Sequence, residues 1–365
     1  MAGTKRVQTG PDLSLLRLVN QRLIATSLRK PEDVVECLGA VQAQDYAGAK
    51  WTIAQRTRSG TDADVEQAFQ SGSILRTHVL RPTWHFVLPG EIRWMLQLTA
   101  ARVHAANAYH YRKFELDAKT FRRAKAAVTK ALQGGKHRTR EELSRALADA
   151  GIAATGVRLG LLMVSAELDA LVCSGPRRNT QFTYALLDER VPPTRPLARD
   201  EALALLAERY FGSHGPSTLQ DFAWWSGLTM KDVRAGIETL KPRLTRHASD
   251  GKTYWFIPPR KIPRPEGAAL HLLSNFDEYL VCCRQDCRAL SMALLKRHED
   301  AVLPNHFVML DGKPIGGWRR VLTDQQVMIH TTFLARLSKD EKHALHLAAD
   351  HYERFLGLPV KLSSI

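Results

Sequence analysis

The sequence predicts an α+β fold, mainly helical, with winged-helix units in tandem and a small C-terminal β-rich domain. Three observations predict it. The order of helices followed by a β-hairpin recurs up to residue 258. Proline-rich stretches at 191–196 (VPPTRP) and 258–265 (PPRKIPRP) punctuate the chain. Beyond the second stretch, helical spacing gives way to short alternating segments.

A first unit spans 12–90. Residues 12–30 place Leu15, Leu16, Val19, Leu23 and Ile24 at helical spacing, and Pro31 with Glu32 and Asp33 opens a second helix running to Gly39. Residues 51–56 read as helix and 62–71 as a short acidic helix. Residues 73–88 (SILRTHVLRPTWHFVL) read as two strands broken near Arg81-Pro82. The connector, 91–135, sits in a stretch (89–132) that reads as helical throughout. The second unit, 136–190, opens on the capping signature Thr139-Arg140-Glu141-Glu142. Its first helix ends at Gly151, a second runs 155–172, and Ser174-Gly175-Pro176-Arg177-Arg178-Asn179 leads into a strand at 181–187. The third unit, 197–258, has helices at 200–211, 217–227 and 229–240 and a hairpin turning at Asp250-Gly251. In the C-terminal domain, 266–360, strands are expected at 270–283, 306–310, 314–320 and 326–332, closed by a helix at 339–355.

The 365 residues carry 52 Lys and Arg against 37 Asp and Glu, a net charge of +15. Such a surplus suits a polyanionic partner, because basic groups set against phosphates release condensed counterions; a basic soluble protein without one is the other reading. The odd set Cys37, Cys173, Cys282, Cys283 and Cys287 argues for reduced thiols rather than a disulfide framework. No run of about 18 apolar residues is present, so no membrane partner is expected. The basic, polar Met1–Gln8 stretch lacks a secretory apolar core. A cytoplasmic, nucleoid-associated monomer is the expectation. Cys282, Cys283 and Cys287 lack paired metal-ligand spacing, and His343, His346 and Asp350, on one helix face, read as a packed or solvated face. With no HExxH, Walker loop or GxGxxG after a strand, neither metal nor cofactor is expected.

Candidate phosphate contacts are Arg177, Arg178 and Asn179 at the second wing tip, with Arg243, Arg246 and Lys252 around the third. Arg122, Arg123, Lys125, Lys130, Lys136, Arg138 and Arg140 form a basic run into the second unit. Any one of these is equally readable as a solvated surface charge. Tyr109-His110-Tyr111-Arg112-Lys113 either stacks on exposed bases or packs as a helix face.

Four segments carry a family resemblance: Val41-Gln42-Ala43-Gln44-Asp45, Leu80-Arg81-Pro82-Thr83-Trp84-His85, Phe276-Asp277-Glu278-Tyr279-Leu280, and Asp311-Gly312 followed by Gly317-Trp318-Arg319-Arg320. Together the chain resembles the bacterial winged-helix DNA-binding proteins related to the AlkZ-type DNA glycosylases, over nearly its whole length. The resemblance implies tandem winged helices around a DNA-sized channel. It also implies excision of alkylated purines from double-stranded DNA, bulky or cross-linking N7 and N3 adducts included. The family motif is Gln, an aliphatic residue, then Gln or Asp, which Gln42, Ala43 and Gln44 fit. Tyr46-Ala47-Gly48 stands where related sequences often carry a proline. Arg319 and Arg320 join the candidate DNA contacts.

Glutamines suit this chemistry. Alkylation at N7 makes the base cationic, so it departs neutral and needs no protonation. The site must hold a water against the anomeric carbon and tolerate a cationic sugar. An amide oxygen accepts from water and its nitrogen donates. Two amides at i and i+2 on an extended loop face one way and can share that water. Asp45 is an alternative water activator. Trp84 can line a lesion pocket and His85 can orient water or phosphate, or both are core. Lys50 is the nearest lysine and no obvious Schiff-base nucleophile, which favours a monofunctional enzyme. The alternatives are glutamines that bridge backbone groups at a helix end, and a non-catalytic winged-helix regulator or damage binder.

Overall fold

The computed structural model describes residues 12–263, 267–282 and 306–364. The Met1–Gln8 segment, Cys283 and Cys287 lie outside the described residues.

One pattern occurs three times: helix, short strand, helix, helix, hairpin. In the first copy these are α2 (Pro31–Leu38), β1 (Val41–Gln42), α3 (Tyr46–Ala54), α4 (Asp62–Ser71), β2 (Leu75–His78) and β3 (Trp84–Val87), after an opening helix α1 (Leu13–Asn20). After the long α5 (Pro89–Lys113), the second copy comprises α6 (Ala118–Leu132), β4 (Arg138–Thr139), α7 (Arg140–Asp149), α8 (Gly156–Leu168), β5 (Val172–Ser174) and β6 (Thr183–Leu186). One turn, α9 (Leu187–Arg190), leads on. The third comprises α10 (Arg199–Ser213), α11 (Leu219–Ser226), α12 (Met230–Glu238), β7 (Thr245–Ser249) and β8 (Lys252–Phe256), with a Ser217–Trp255 bridge where the short strand stands in the others.

Local chemistry sets these boundaries. Asp45 past the first short strand, Thr139 at the end of the second and Thr218 after the bridge each accept a backbone N–H in the first turn of the next helix. Thr139 with Glu142 and Thr218 with Asp221 complete capping boxes. Gly39, Gly72 and Gly227 end α2, α4 and α11 at positive φ.

Several expectations are corrected. The helix expected at 12–30 stops at Asn20, because Arg22 and Ala25 take positive φ. The stretch 89–132 is two helices, broken where Glu115 turns to φ 52° and Asp117 caps α6. The strand expected at 270–283 is β9 (Leu270–Leu273) only; Asp277 then caps one helical turn, α13 (Glu278–Val281). The remaining C-terminal elements are β10 (His306–Leu310), β11 (Lys313–Leu322), β12 (Val327–Phe333), α14 (Lys339–Leu356) and the unexpected β13 (Val360–Ser364). They form one sheet ordered β13-β12-β11-β10-β9, in which β13 runs parallel to β12.

The apolar cores cross the chain. Trp51, Phe69 and Phe86 of the first copy pack with Trp318, Tyr352 and Phe355 of the C-terminal sheet and α14. Leu80 and Val87 pack instead with Tyr210, Phe222 and Trp225 of the third copy. The first copy, with its glutamine loop, is thus held between the C-terminal sheet and the third copy.

Candidate active site

β1 is two residues long and exists through its pairing with β3, in the register Val41↔Phe86 and Gln42↔His85. Ala43 N–H continues the ladder to Trp84 O at 2.7 Å. Ala43 O accepts from Arg76 Nε at 3.1 Å and Nη2 at 3.0 Å. The tripeptide backbone is therefore pinned from both sides.

The two amides differ in setting. Gln42 is 7% exposed, and its Oε1 accepts from Arg81 Nη2 at 2.8 Å. Gln44 is exposed, and its Oε1 accepts from Trp84 N–H at 3.4 Å. Each oxygen keeps a second lone pair for a water.

Arg81 was the role not read from the sequence. It follows Leu80, which sits at φ 63°, a conformation costly for a non-glycine residue. Arg81 is buried, its side chain close to His85 Nε2 at 3.5 Å and to the exposed ring of Trp224 at 5.7 Å. His85 is not in the cleft. It is fully buried, its Nδ1 is 2.9 Å from Thr83 O, and burial with the nearby Arg81 charge holds its pKa at about 3. A neutral imidazole thus donates from Nδ1 to Thr83 and turns Nε2 toward Arg81. His85 belongs to the core reading, as a support for Arg81.

A second missed residue reaches the loop across 236 positions. Glu278 Oε1 accepts from Gln42 N–H at 2.6 Å. Its Oε2 accepts from Trp225 Nε1 at 2.8 Å and lies 3.0 Å from His214 Nε2. Full burial works against its ionisation, but the bonds from His214, Gln42 and Trp225 outweigh that and hold it below the usual carboxylate range. The neighbouring Asp277 forms a fully buried pair with Arg56, at 2.7 Å to Nη2 and 2.9 Å to Nη1. Glu278 thus supplies the anion that offsets buried Arg81. Arg81 and Glu278 both stand inside the segments that carry the resemblance.

Asp45 serves as the N-cap of α3, accepting from Gly48 N–H at 3.0 Å. A Cβ on Gly48 would stand 2.6 Å from Asp45 Oδ2, so a larger residue there would displace the capping carboxylate. Tyr46 anchors the same turn: its ring meets Phe69, Phe86 and Phe182, and its hydroxyl donates to Glu66 at 3.0 Å. Tyr46-Ala47-Gly48 is accordingly a built helix start. Lys50 is committed to Asp62 and Glu66 at 2.7 and 3.1 Å.

Trp84 is half-buried, with Arg76 at 4.2 Å from its ring centre and the His78 ring at 4.4 Å. It lines a cavity of about 530 Å³.

The candidate DNA contacts divide. Arg122, Asn179, Arg246, Lys252 and Arg319 are exposed on α6, the second hairpin tip, β7, β8 and β11. Arg123 is exposed and donates to Ala150 O at 2.7 Å. Arg178 and half-buried Arg138 share Glu142, at 3.0 and 3.4 Å. Arg177 turns inward to Glu66 at 3.1 Å, over Tyr46 and Phe182, and Arg320 is half-buried and donates to Tyr352. Those last two are packing residues in this arrangement.

A site of paired amides on a basic chain of this architecture fits an enzyme acting on nucleic acid. The profile of the AlkZ-like DNA glycosylases matches residues 35–355. The chain belongs to that family and is an enzyme, a DNA glycosylase. A relative from Streptomyces sahachiroi, described as an interstrand DNA cross-link repair glycosylase, is 23% identical over 352 residues, 91% of this chain and 94% of the relative. The solved structure of the Streptomyces sahachiroi DNA glycosylase AlkZ matches with a TM-score of 0.76 at 23% identity, over 96% of this chain and 98% of that one. The shared fold is α+β, mainly helical, with a C-terminal sheet. Among the described residues no helix is long and apolar enough to cross a membrane.

Proposed function

We propose that the protein hydrolyses the N-glycosidic bond of N7- or N3-alkylated purines in double-stranded DNA, bulky and cross-linked adducts included. Gln42 and Gln44 position the attacking water. The observation that carries this is the Arg81–Gln42 hydrogen bond: a buried cation, itself balanced by Glu278, fixes one amide of the pair while Gln44 stays exposed.

In the reaction the C1′–N bond breaks, and its electron pair neutralises the cationic base. The water oxygen bonds to C1′ and its proton passes to solvent, leaving an abasic site. No group must protonate the base, so rate comes from holding water and from dipoles aimed at the cationic sugar. The three helix–hairpin copies serve as winged helices, with Asn179, Arg246 and Lys252 on hairpins that face phosphates. The surplus of +15 and a cross-link repair enzyme among its relatives support the substrate.

The test is release of 7-methylguanine from a duplex. Wild type is expected to release it, and a Gln42→Ala, Gln44→Ala double variant to lose at least roughly 100-fold in rate, the scale of removing a positioned transition-state contact. Undiminished release by the double variant would sink the glutamine mechanism. Duplex binding with no release by wild type would favour a damage binder.

A further inference from the structure

The cavity beside Trp84 is not used by the chemistry above. It lies where the first hairpin meets the second helix–hairpin copy, between Trp84, Leu159 of α8, and Phe182 and Tyr184 of β6 and its approach. At about 530 Å³ it falls within the range of small-molecule sites, which are concave and mostly apolar.

It adjoins the glutamine loop. Trp84 donates its N–H to Gln44 Oε1 and accepts Ala43 N–H, so the residue that walls the cavity also frames the tripeptide. Arg76, another wall residue, donates to Ala43 O.

The polar groups deepest in its wall are already engaged inside the protein. Ser174 Oγ accepts from Arg76 N–H at 2.8 Å, and Thr183 Oγ1 donates to Pro176 O at 2.5 Å. Ser144 Oγ donates to Ala154 O at 2.5 Å, and Arg140 donates to Gly156 O at 2.9 Å. Glu167 is held by His78 Nδ1 at 2.5 Å and His78 N–H at 2.8 Å. With these groups engaged and Trp84, Leu159, Phe182 and Tyr184 forming its walls, the cavity selects for apolar area. Its two arginines, Arg76 and Arg140, stand with two carboxylates, Glu141 and Glu167, so the lining carries no net formal charge and suits an uncharged occupant.

We propose that this cavity receives the large, uncharged aromatic substituent carried by the alkylated base, while the base–sugar bond stays at Gln42 and Gln44. The inference rests on the alkylpurine reading above. It makes the enzyme a reader of the adduct as well as of the base.

Binding to duplexes that resist hydrolysis tests it. Two carry 2′-fluoro-7-alkylguanine, one with a methyl and one with a biphenylmethyl group. Wild type is expected to bind the biphenylmethyl duplex at least tenfold more tightly than the methyl one. Leu159→Trp, which fills the cavity, is expected to bring that ratio within twofold and leave methyl-duplex affinity unchanged. Thr155→Trp, at the exposed rim where Thr155 makes no side-chain cap, should do the same without burdening the core. Equal wild-type affinity for the two duplexes, or a ratio unmoved in both variants, overturns the proposal. Failure of wild type to release 7-methylguanine from a hydrolysable duplex would instead remove the activity reading, while the binding ratio still reports on the cavity.

Discussion

At the scale of single residues, the site is a chain of supports running inward from Gln42. Arg81 orients its amide, His85 Nε2 lies beside Arg81, and Glu278 fastens the Gln42 backbone. Arg81→Met is expected to lower kcat by roughly 10–100-fold with KM within twofold, because a misplaced positioning group costs rate before it costs binding. Steady-state release of 7-methylguanine reads the split, and a rise in KM alone would place Arg81 in DNA binding instead. His85 gives a pH prediction. Folded, it takes a proton only near pH 3; unfolded, it does so near 6.5. Between those values the unfolded chain holds the extra proton, so stability falls as pH drops from 6.5 toward 3, by about 1.4 kcal/mol per unit. Urea unfolding of wild type and His85→Asn at pH 7 and pH 5 should show the gap between them shrink by about 2 kcal/mol on acidification. The amide pair and Trp84 were legible through the family resemblance. The reasons Gln42 is held were not, because Arg81 lies 39 positions away and Glu278 lies 236 away, and local patterning carries no information about such partners.

At the scale of elements, what reads well is what local chemistry decides. The Thr139–Glu142 and Thr218–Asp221 boxes, Pro31 and Pro89 at helix starts, and the Asp250-Gly251 turn each carry their instruction within four residues. Strands that exist only through partners do not. β1 is a two-residue strand added to a hairpin that starts more than thirty positions later, and β13 is an edge strand laid parallel on β12. Turn geometry supplies the next prediction. Gly227 ends α11 at φ 70°, and a Cβ there would stand 2.2 Å from Leu80 O. Gly227→Ala is expected to destabilise by about 2 kcal/mol or more, through the left-handed backbone and the clash together. It should also slow base release, since Leu80 sets the entry of Arg81. Denaturant midpoints and single-turnover rates check both, and full activity in a destabilised variant would separate the turn from the site.

At the scale of the molecule, charge and packing do different jobs on residues of the same type. Arg246 is exposed on β7, against the Trp255 ring, whereas Arg177 is spent on Glu66. Arg246→Ala is expected to flatten the slope of log affinity against log salt by about 1, the signature of one lost phosphate contact. Arg177→Ala should leave that slope unchanged and lower the unfolding midpoint. A salt slope shifted by Arg177→Ala would return it to the DNA-facing set. The overall charge and the recurrence of helices and hairpins were visible in the sequence. That the first copy packs against the C-terminal sheet was not, because apolar residues on an amphipathic helix announce burial without naming the surface that covers them.

The carboxylate of Glu278 also has a consequence in time. Synthesis runs from the N-terminus, so Gln42, Gln44 and Arg81 leave the ribosome long before Glu278 exists. A nascent chain can hold the whole glutamine tripeptide and still lack the anion that balances its arginine and the acceptor that fastens its backbone. The site is therefore assembled only after residues 277 and 278 have emerged, and partial translation products carry the motif without its supports.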